Sequence, residues 1–232
     1  MKAMLLRVGI DKGTDGALAP IFEDRSFEYI PMSENSQSKE NRTYRTTIGR
    51  SGQTLSTYLP PKIADRIIHF DPEFETFTYG DPTVKRKYLL GLEEEDLLIF
   101  YAGLTPFKSN RQKEGLYVIG YFTVEEIVDF NQLSETEMEN FYQLYSNNAH
   151  IKRIDYPEDL VIVVGRRNRS RLLDKAILIS QRKFDKNGKP YQAVSKEMET
   201  SLGISGSIQR SIPPRYIRRK ENLDNLKDIL GL

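Results

Sequence analysis

Two apolar runs near the middle of the chain constrain its fold more than any other feature. Leu97-Leu98-Ile99-Phe100-Tyr101 is a continuous apolar run of strand length, and Leu116 to Val124 is a second. The stretch between them, Thr105 to Gly115, is polar and carries Lys108, Arg111 and Lys113. Two buried strands joined by a polar connection read as an antiparallel hairpin.

The flanking sequence adds short elements around that hairpin. Residues 3–10 read as a buried strand that runs into a glycine-rich turn, Asp11-Lys12-Gly13-Thr14-Asp15-Gly16. A hairpin turn is expected at Glu23-Asp24-Arg25-Ser26, with Phe27 and Tyr29 on one face. Residues 33–43 are polar and read as a mobile loop. Arg66 to Phe70 reads as a short strand. Ser134-Glu135-Thr136-Glu137 is a capping box. It opens a helix whose apolar side is Met138, Phe141, Tyr142 and Tyr145. Leu160 to Val164 and Ala176 to Ile179 read as strands, Ser170 as the cap of one helical turn, and Leu223, Leu226, Ile229 and Leu230 as a terminal helix. Strands do not alternate regularly with helices, which argues against a doubly wound parallel sheet. The expected fold is α+β: a mainly antiparallel, barrel-like mixed sheet with a few peripheral helices, in one domain over residues 1–232.

Composition bounds the function classes. Hydrophobic residues make up 38% of the chain and charged residues 29%, as in an ordinary soluble protein. No apolar run is long enough to span a bilayer, so no membrane partner is expected. The first ten residues read as a strand, not as a signal peptide. The chain has no cysteine, which excludes disulfides and thiolate metal sites; a cytoplasmic location is the default expectation. A net charge of +1 rules out a global basic field for nucleic acid. The charge is segregated, however. Glu93, Glu94, Glu95 and Asp96 form an acidic knot, while Arg166, Arg167, Arg169 and Arg171 form a basic one. Arg210, Arg215, Arg218, Arg219 and Lys220 form another. Such clusters suit a local anionic ligand.

Segment 69–82 is densest in chemistry. It holds one of two histidines and four carboxylates, Asp71, Glu73, Glu75 and Asp81, and is punctuated by Pro72, Gly80 and Pro82. If extended, it puts His69, Asp71, Glu73 and Glu75 on one face. That suits a general base with an orienting carboxylate, or, as the lesser reading, a hard metal; no metal site and no cofactor are assigned. The alternative is a surface turn in which Asp71 and Asp81 bond the local backbone. Tyr79, beside Gly80, suits stacking on a base or a place in the core. In the Gly9–Gly16 turn, backbone N–H groups suit an anion, although Asp11 and Asp15 would repel phosphate. They suit a ribose hydroxyl, a base donor or a catalytic carboxylate, and a tight structural loop is the alternative. The Arg166–Arg171 cluster suits bidentate phosphate contact, with a solvated turn as the alternative. His150, after a helix end, reads as a partner of the helix dipole.

Several blocks together resemble the nucleotide modification associated domain 3 family. They are Arg7 to Asp11, Gly16 to Phe22, Phe27 to Pro31, His69 to Phe74, Thr78 to Asp81, Leu97 to Leu104, Tyr117 to Phe122, Val163 to Gly165 and Ser170 to Leu173. The run from Asp96 to Val124 also resembles the central hairpin of PUA-like barrels, the superfamily of EVE and ASCH domains. These resemblances imply a role in nucleic-acid base modification, with DNA preferred to RNA, or with a free nucleotide, as ligand. Partner proteins of a modification system are also implied. As an enzyme of glycosyl or base transfer or of N-glycosidic hydrolysis, the chain would use Asp11, His69, Asp71 and Glu73 near the reacting group. Arg7, Gly13, Gly16, Arg166, Arg167, Ser170 and Arg171 would hold phosphate, and Tyr79 would stack on the base. The rival is a PUA-like or EVE-like reader of modified bases without chemistry. A third reading is an interaction subunit.

Overall fold

The structure is a computed structural model that describes residues 1–155 and 159–232. Among the described residues the strands are, in chain order, β1 (Ala3–Arg7), β2 (Ala19–Ile21), β3 (Thr78–Asp81), β4 (Leu97–Pro106), β5 (Gly115–Asp129), β6 (Val161–Gly165), β7 (Arg171–Leu178), β8 (Ser180–Phe184), β9 (Pro190–Val194) and β10 (Arg215–Ile217). The α-helices are α1 (Arg86–Leu89), α2 (Glu135–Leu144), α3 (Lys196–Leu202) and α4 (Lys220–Leu230).

The two apolar runs are β4 and β5, and they pair antiparallel from Leu97↔Thr123 to Leu104↔Gly115. Every residue from Leu97 to Leu104 is buried. Successive side chains point to opposite faces, so both faces of β4 are covered. The core that covers them draws Phe27, Ile30, Tyr44 and Ile68 from the long N-terminal loops and Leu202, Leu223 and Leu226 from α3 and α4.

The sheet runs in the order β10-β1-β4-β5-β6-β3, with β2 beside β4 and β7 beside β5; β8 and β9 form a separate hairpin. Most pairs are antiparallel, while β1 and β2 run parallel to β4. The expected barrel does not close. β10 and β3 stand at opposite ends of the order and do not pair with each other. The reason lies in β5. It pairs with β7 over Tyr117–Tyr121 and with β6 over Val124–Asp129, with register shifts at Val118/Gly120 and Val124/Glu126. Such shifts bend a strand and raise its twist. Here they split its free edge between two partners.

Local readings fared unevenly. The capping box is present: the Ser134 side chain accepts from Glu137 N–H, and Glu137 bonds back to the Ser134 N–H. Met138, Phe141, Tyr142 and Tyr145 pack on Val128, Phe130 and Leu160 in a second cluster. The turn at 22–26 forms, closed by Phe22 N–H on the Ser26 carbonyl. Residues 33–43 do not form a free loop. Bridges Ser33↔Ile68, Ser38↔Arg153 and Thr43↔Ile67 tie them down. The expected strand at 66–70 is limited to those isolated bridges. Ser170 does not cap a helix. It is buried and extended, after a 3-10 turn at Arg167–Arg169, and its hydroxyl accepts from Thr123 N–H at 3.1 Å. No helix among the described residues is long and apolar enough to cross a membrane.

Candidate functional site

The 69–82 segment enters the fold through His69, whose N–H bonds the Met32 carbonyl, and leaves through β3, which pairs with β6. Between these anchors it walls a cavity of about 260 Å³. His69, Asp71, Tyr79 and Asp81 line it, together with Arg7 from β1, His150 and Arg153 from the turn after α2, and Arg210 from the loop before β10. A larger opening of about 540 Å³ adjoins it, and Arg7 and Arg210 border both spaces. Asp11 and Gly13 line the larger one.

The floor of the smaller cavity is a buried ionisable cluster. His69 is 6% exposed, Asp71 8% and His150 5%. His69 Nδ1 lies 2.6 Å from Glu34 Oε2, and Arg153 bonds the same carboxylate at 2.9 and 3.2 Å. Burial opposes ionisation of Glu34, but the hydrogen bonds from His69 and Arg153 outweigh it and hold the carboxyl far below its usual range. Burial lowers the pKa of His69, against the pull of Glu34. A neutral His69 that donates its Nδ1 proton to Glu34 keeps a free lone pair on Nε2. Burial drives His150 down to about 4, and the charge of Arg153 pushes the same way. Asp71 Oδ1 accepts from Gly80 N–H at 2.8 Å, and Asp71 Oδ2 stands 3.6 Å from His150 Nε2. Burial pushes Asp71 up to about 7. Gly80 makes room for this contact, since a Cβ there would lie 2.7 Å from His150 Cδ2.

The arginine at the rim is unusual. Among the described residues Arg7 has no hydrogen bond or ion pair to its guanidinium, and its Nε is inaccessible and unpartnered. Burial lowers its pKa, and the charge of Arg210 adds to this. Gly103 on β4 lets it lie across the strand, because a Cβ there would fall 2.9 Å from Arg7 Nη2. Arg210, by contrast, is tied to Asp11 Oδ2 and to the Gly9 carbonyl.

Of the residues singled out from sequence, Arg7, His69, Asp71 and Tyr79 meet at this cavity. Asp11 reaches only the adjoining opening. Burial opposes its ionisation, but Arg210 and the N–H groups of Thr14 and Gly13 hold its pKa down. Those N–H groups are therefore spent on Asp11 Oδ1, at 2.8 Å for Gly13 and 3.0 Å for Thr14, and do not cradle an external anion. Gly16 closes the same turn onto the Asp11 carbonyl with a φ of 78°. Glu73 faces its own loop and accepts from Glu75 N–H, Thr76 N–H and Thr78 N–H at 2.8 to 2.9 Å. Tyr79 is a core aromatic: its ring packs on Phe100 at 5.7 Å and its hydroxyl donates to Asp81 at 3.2 Å.

The Arg166–Arg171 cluster lies elsewhere and is largely engaged. Arg166 pairs with Glu94 and Glu95, and Arg169 with Glu95 at 2.6 Å, so the basic and acidic knots neutralise each other. Arg171 donates to the Leu230 carbonyl at the end of α4. Arg167 is exposed. Sequence reasoning missed Asp81, His150 and Arg153 as cavity residues and Glu34 as the partner of His69. The scarcity of histidine was the one signal pointing to His150.

Comparison with known proteins gives three findings. The profile of a family described as nucleotide modification associated domain 3 matches residues 2–219. Among solved structures, the chain is similar to the N-terminal domain of Thermococcus gammatolerans McrB bound to m5C DNA. That match has 15% identity and a TM-score of 0.36, and covers 100% of this chain and 98% of that one. No curated protein matches the chain.

Proposed function

This chain belongs to the nucleotide modification associated domain 3 family, and from that membership we propose that it is a reader of modified bases in DNA. The phosphate of one nucleotide sits on Arg7 and its base enters the cavity at His69 and Asp71. The observation that carries this reading is Arg7. A partly buried guanidinium without a hydrogen bond or ion pair is unfavourable, and a bound phosphate relieves it through charge-assisted, bidentate hydrogen bonds. A space of about 260 Å³ lies just below the usual range for small-molecule pockets and suits a single base. To reach it, a base in duplex DNA is turned out of the stack. The hairpin of β4 and β5, with its resemblance to PUA-like barrels, is in keeping with this reading.

A second reading is catalysis, as glycosyl or base transfer or N-glycosidic hydrolysis. It is favoured by one contact: Asp71 and His150 stand side by side at 3.6 Å facing the space for the base. A carboxyl and an imidazole so placed suit proton transfer. Loss of turnover in Asp71→Asn, with affinity kept, distinguishes it from recognition alone.

The test is fluorescence polarisation with duplexes carrying one modified base, matched unmodified duplexes, and mononucleotide competitors, at two salt concentrations. Preferential, salt-sensitive binding is expected. Arg7→Met weakens it by about tenfold or more, the loss of one charged contact, while Arg166→Ala leaves it unchanged. Equal binding by Arg7→Met and the unaltered chain, or no preference for the modified duplex, overturns the reading.

A further inference from the structure

The cavity floor, where the proposed function places the base, also gathers a set of metal-ligating atoms. His69, Asp71 and His150 each offer one ligand atom, and these atoms lie within 4.8 Å of one another, all on buried residues. We propose that these three residues bind a single divalent transition-metal ion.

The pairing of the carboxylates at the cavity floor leaves Asp71 as the place for a cation. Glu34 is paired with Arg153 and His69. Asp81 is bonded by Thr83 and Tyr79, with Lys85 at 3.8 Å. Asp71 alone among these carboxylates lacks a cationic side chain against it. Its Oδ1 is held by Gly80 N–H, with a long contact to Asn148 at 3.4 Å. Its Oδ2 faces His150 Nε2 at 3.6 Å, beyond hydrogen-bonding distance. A buried carboxylate left this way is stabilised by a bound metal.

The imidazoles are arranged as ligands. Glu34 fixes the Nδ1 proton of His69 and leaves Nε2 to donate its lone pair. This carboxylate–histidine arrangement is what orients metal-binding histidines. His150 is buried with its Nδ1 unpartnered. Two imidazoles and one carboxylate select zinc, cobalt, iron or manganese over calcium or magnesium. Bonds of about 2.0–2.1 Å place tetrahedral ligands roughly 3.4 Å apart, so the ion draws the three side chains together by about 1 Å. Three protein ligands leave a coordination position open, and Arg7 lines the same cavity. The site shares His69 and Asp71 with the nucleotide reading but does not need Arg7, so Arg7→Met separates the two.

The chain has only two histidines, so the unaltered protein can be tested directly. Zn²⁺ is titrated into the chelator-treated full chain while long-range ¹H–¹⁵N spectra follow both imidazoles. Signals of both rings move together, saturate at one equivalent and return with excess chelator. With Co²⁺ in place of Zn²⁺, visible absorption bands appear. They weaken at least tenfold in His150→Gln and in Asp71→Asn and are kept in Arg7→Met. No saturable shift, a shift confined to one imidazole, or cobalt bands that survive both substitutions overturns the site. If either variant fails to fold, the titration of the unaltered chain decides alone.

Discussion

The rings of His69 and His150 meet edge to face, with 4.7 Å between their centroids and 85° between their planes. One comes from the segment that leads to β3 and the other from the turn after α2. Their meeting defines the cavity floor. Gly80, Glu34 and Arg153 hold it in place.

Gly80→Ala is expected to break this arrangement. The new Cβ would lie 2.7 Å from His150 Cδ2 and 3.4 Å from Leu160 Cδ1. Overpacking of this kind costs about 1–3 kcal/mol. The thermal midpoint falls and the imidazole signals of His150 shift. An unchanged midpoint with unchanged His150 signals would show that the ring yields freely.

Arg7→Met is expected to separate stability from binding. It removes a charge that lacks an internal partner, so the free protein gains roughly 1 kcal/mol, read from urea unfolding. Ligand affinity falls in the same variant. A loss of stability would mean that the fold itself uses the charge.

Glu73→Ala tests a structural role against a catalytic one. The carboxylate satisfies three backbone N–H groups and the hydroxyls of Thr76 and Thr78. Its removal costs at least about 2–3 kcal/mol, because buried donors are left unpaired. Glu73→Gln, which keeps an acceptor, costs less. If any activity is found, it survives in the folded fraction of both variants; abolished activity at full stability would return Glu73 to the reacting centre.

Glu40 gives the chain an acid limb in its stability. Burial opposes its ionisation, but hydrogen bonds from Arg42 and Lys152 lower its pKa to about 2. A folded pKa below the unfolded one adds stability that is complete above about pH 4.5 and is lost as pH falls toward 2. Urea midpoints measured between pH 2 and 6 should therefore drop with acid. Glu40→Gln flattens that slope while lowering stability at pH 6. An identical slope in the variant would assign the acid limb to other carboxylates.

How far the sequence predicts these features depends on where each residue finds its partners. β4, β5 and α2 are legible because their signals are local: two apolar runs, and a capping box whose members are three residues apart. The 33–43 stretch reads as mobile because its own residues are polar. Its order comes from Glu34 and Glu40, which pair with Arg153 and Lys152 far along the chain. The Arg166 cluster reads as a phosphate site for the same reason, since the acids that occupy it lie before β4. The sheet reads as barrel-like because nothing local announces that β5 will divide its edge. His69 and Asp71 were found through the density of their own segment. His150 was misassigned because its sequence neighbours describe a helix end and not the cavity it enters.

Arg210 and β10 give the cavity a dependence on the order of synthesis. Arg210 clasps Asp11 and the Gly9 carbonyl, and β10 zips onto β1 beside it. β1 therefore waits for β10, more than 200 residues later, before that edge is covered and the rim beside Arg7 is built. A truncated chain that ends before residue 210 would lack that rim. Ligand uptake by this protein thus reports that β10 has docked on β1.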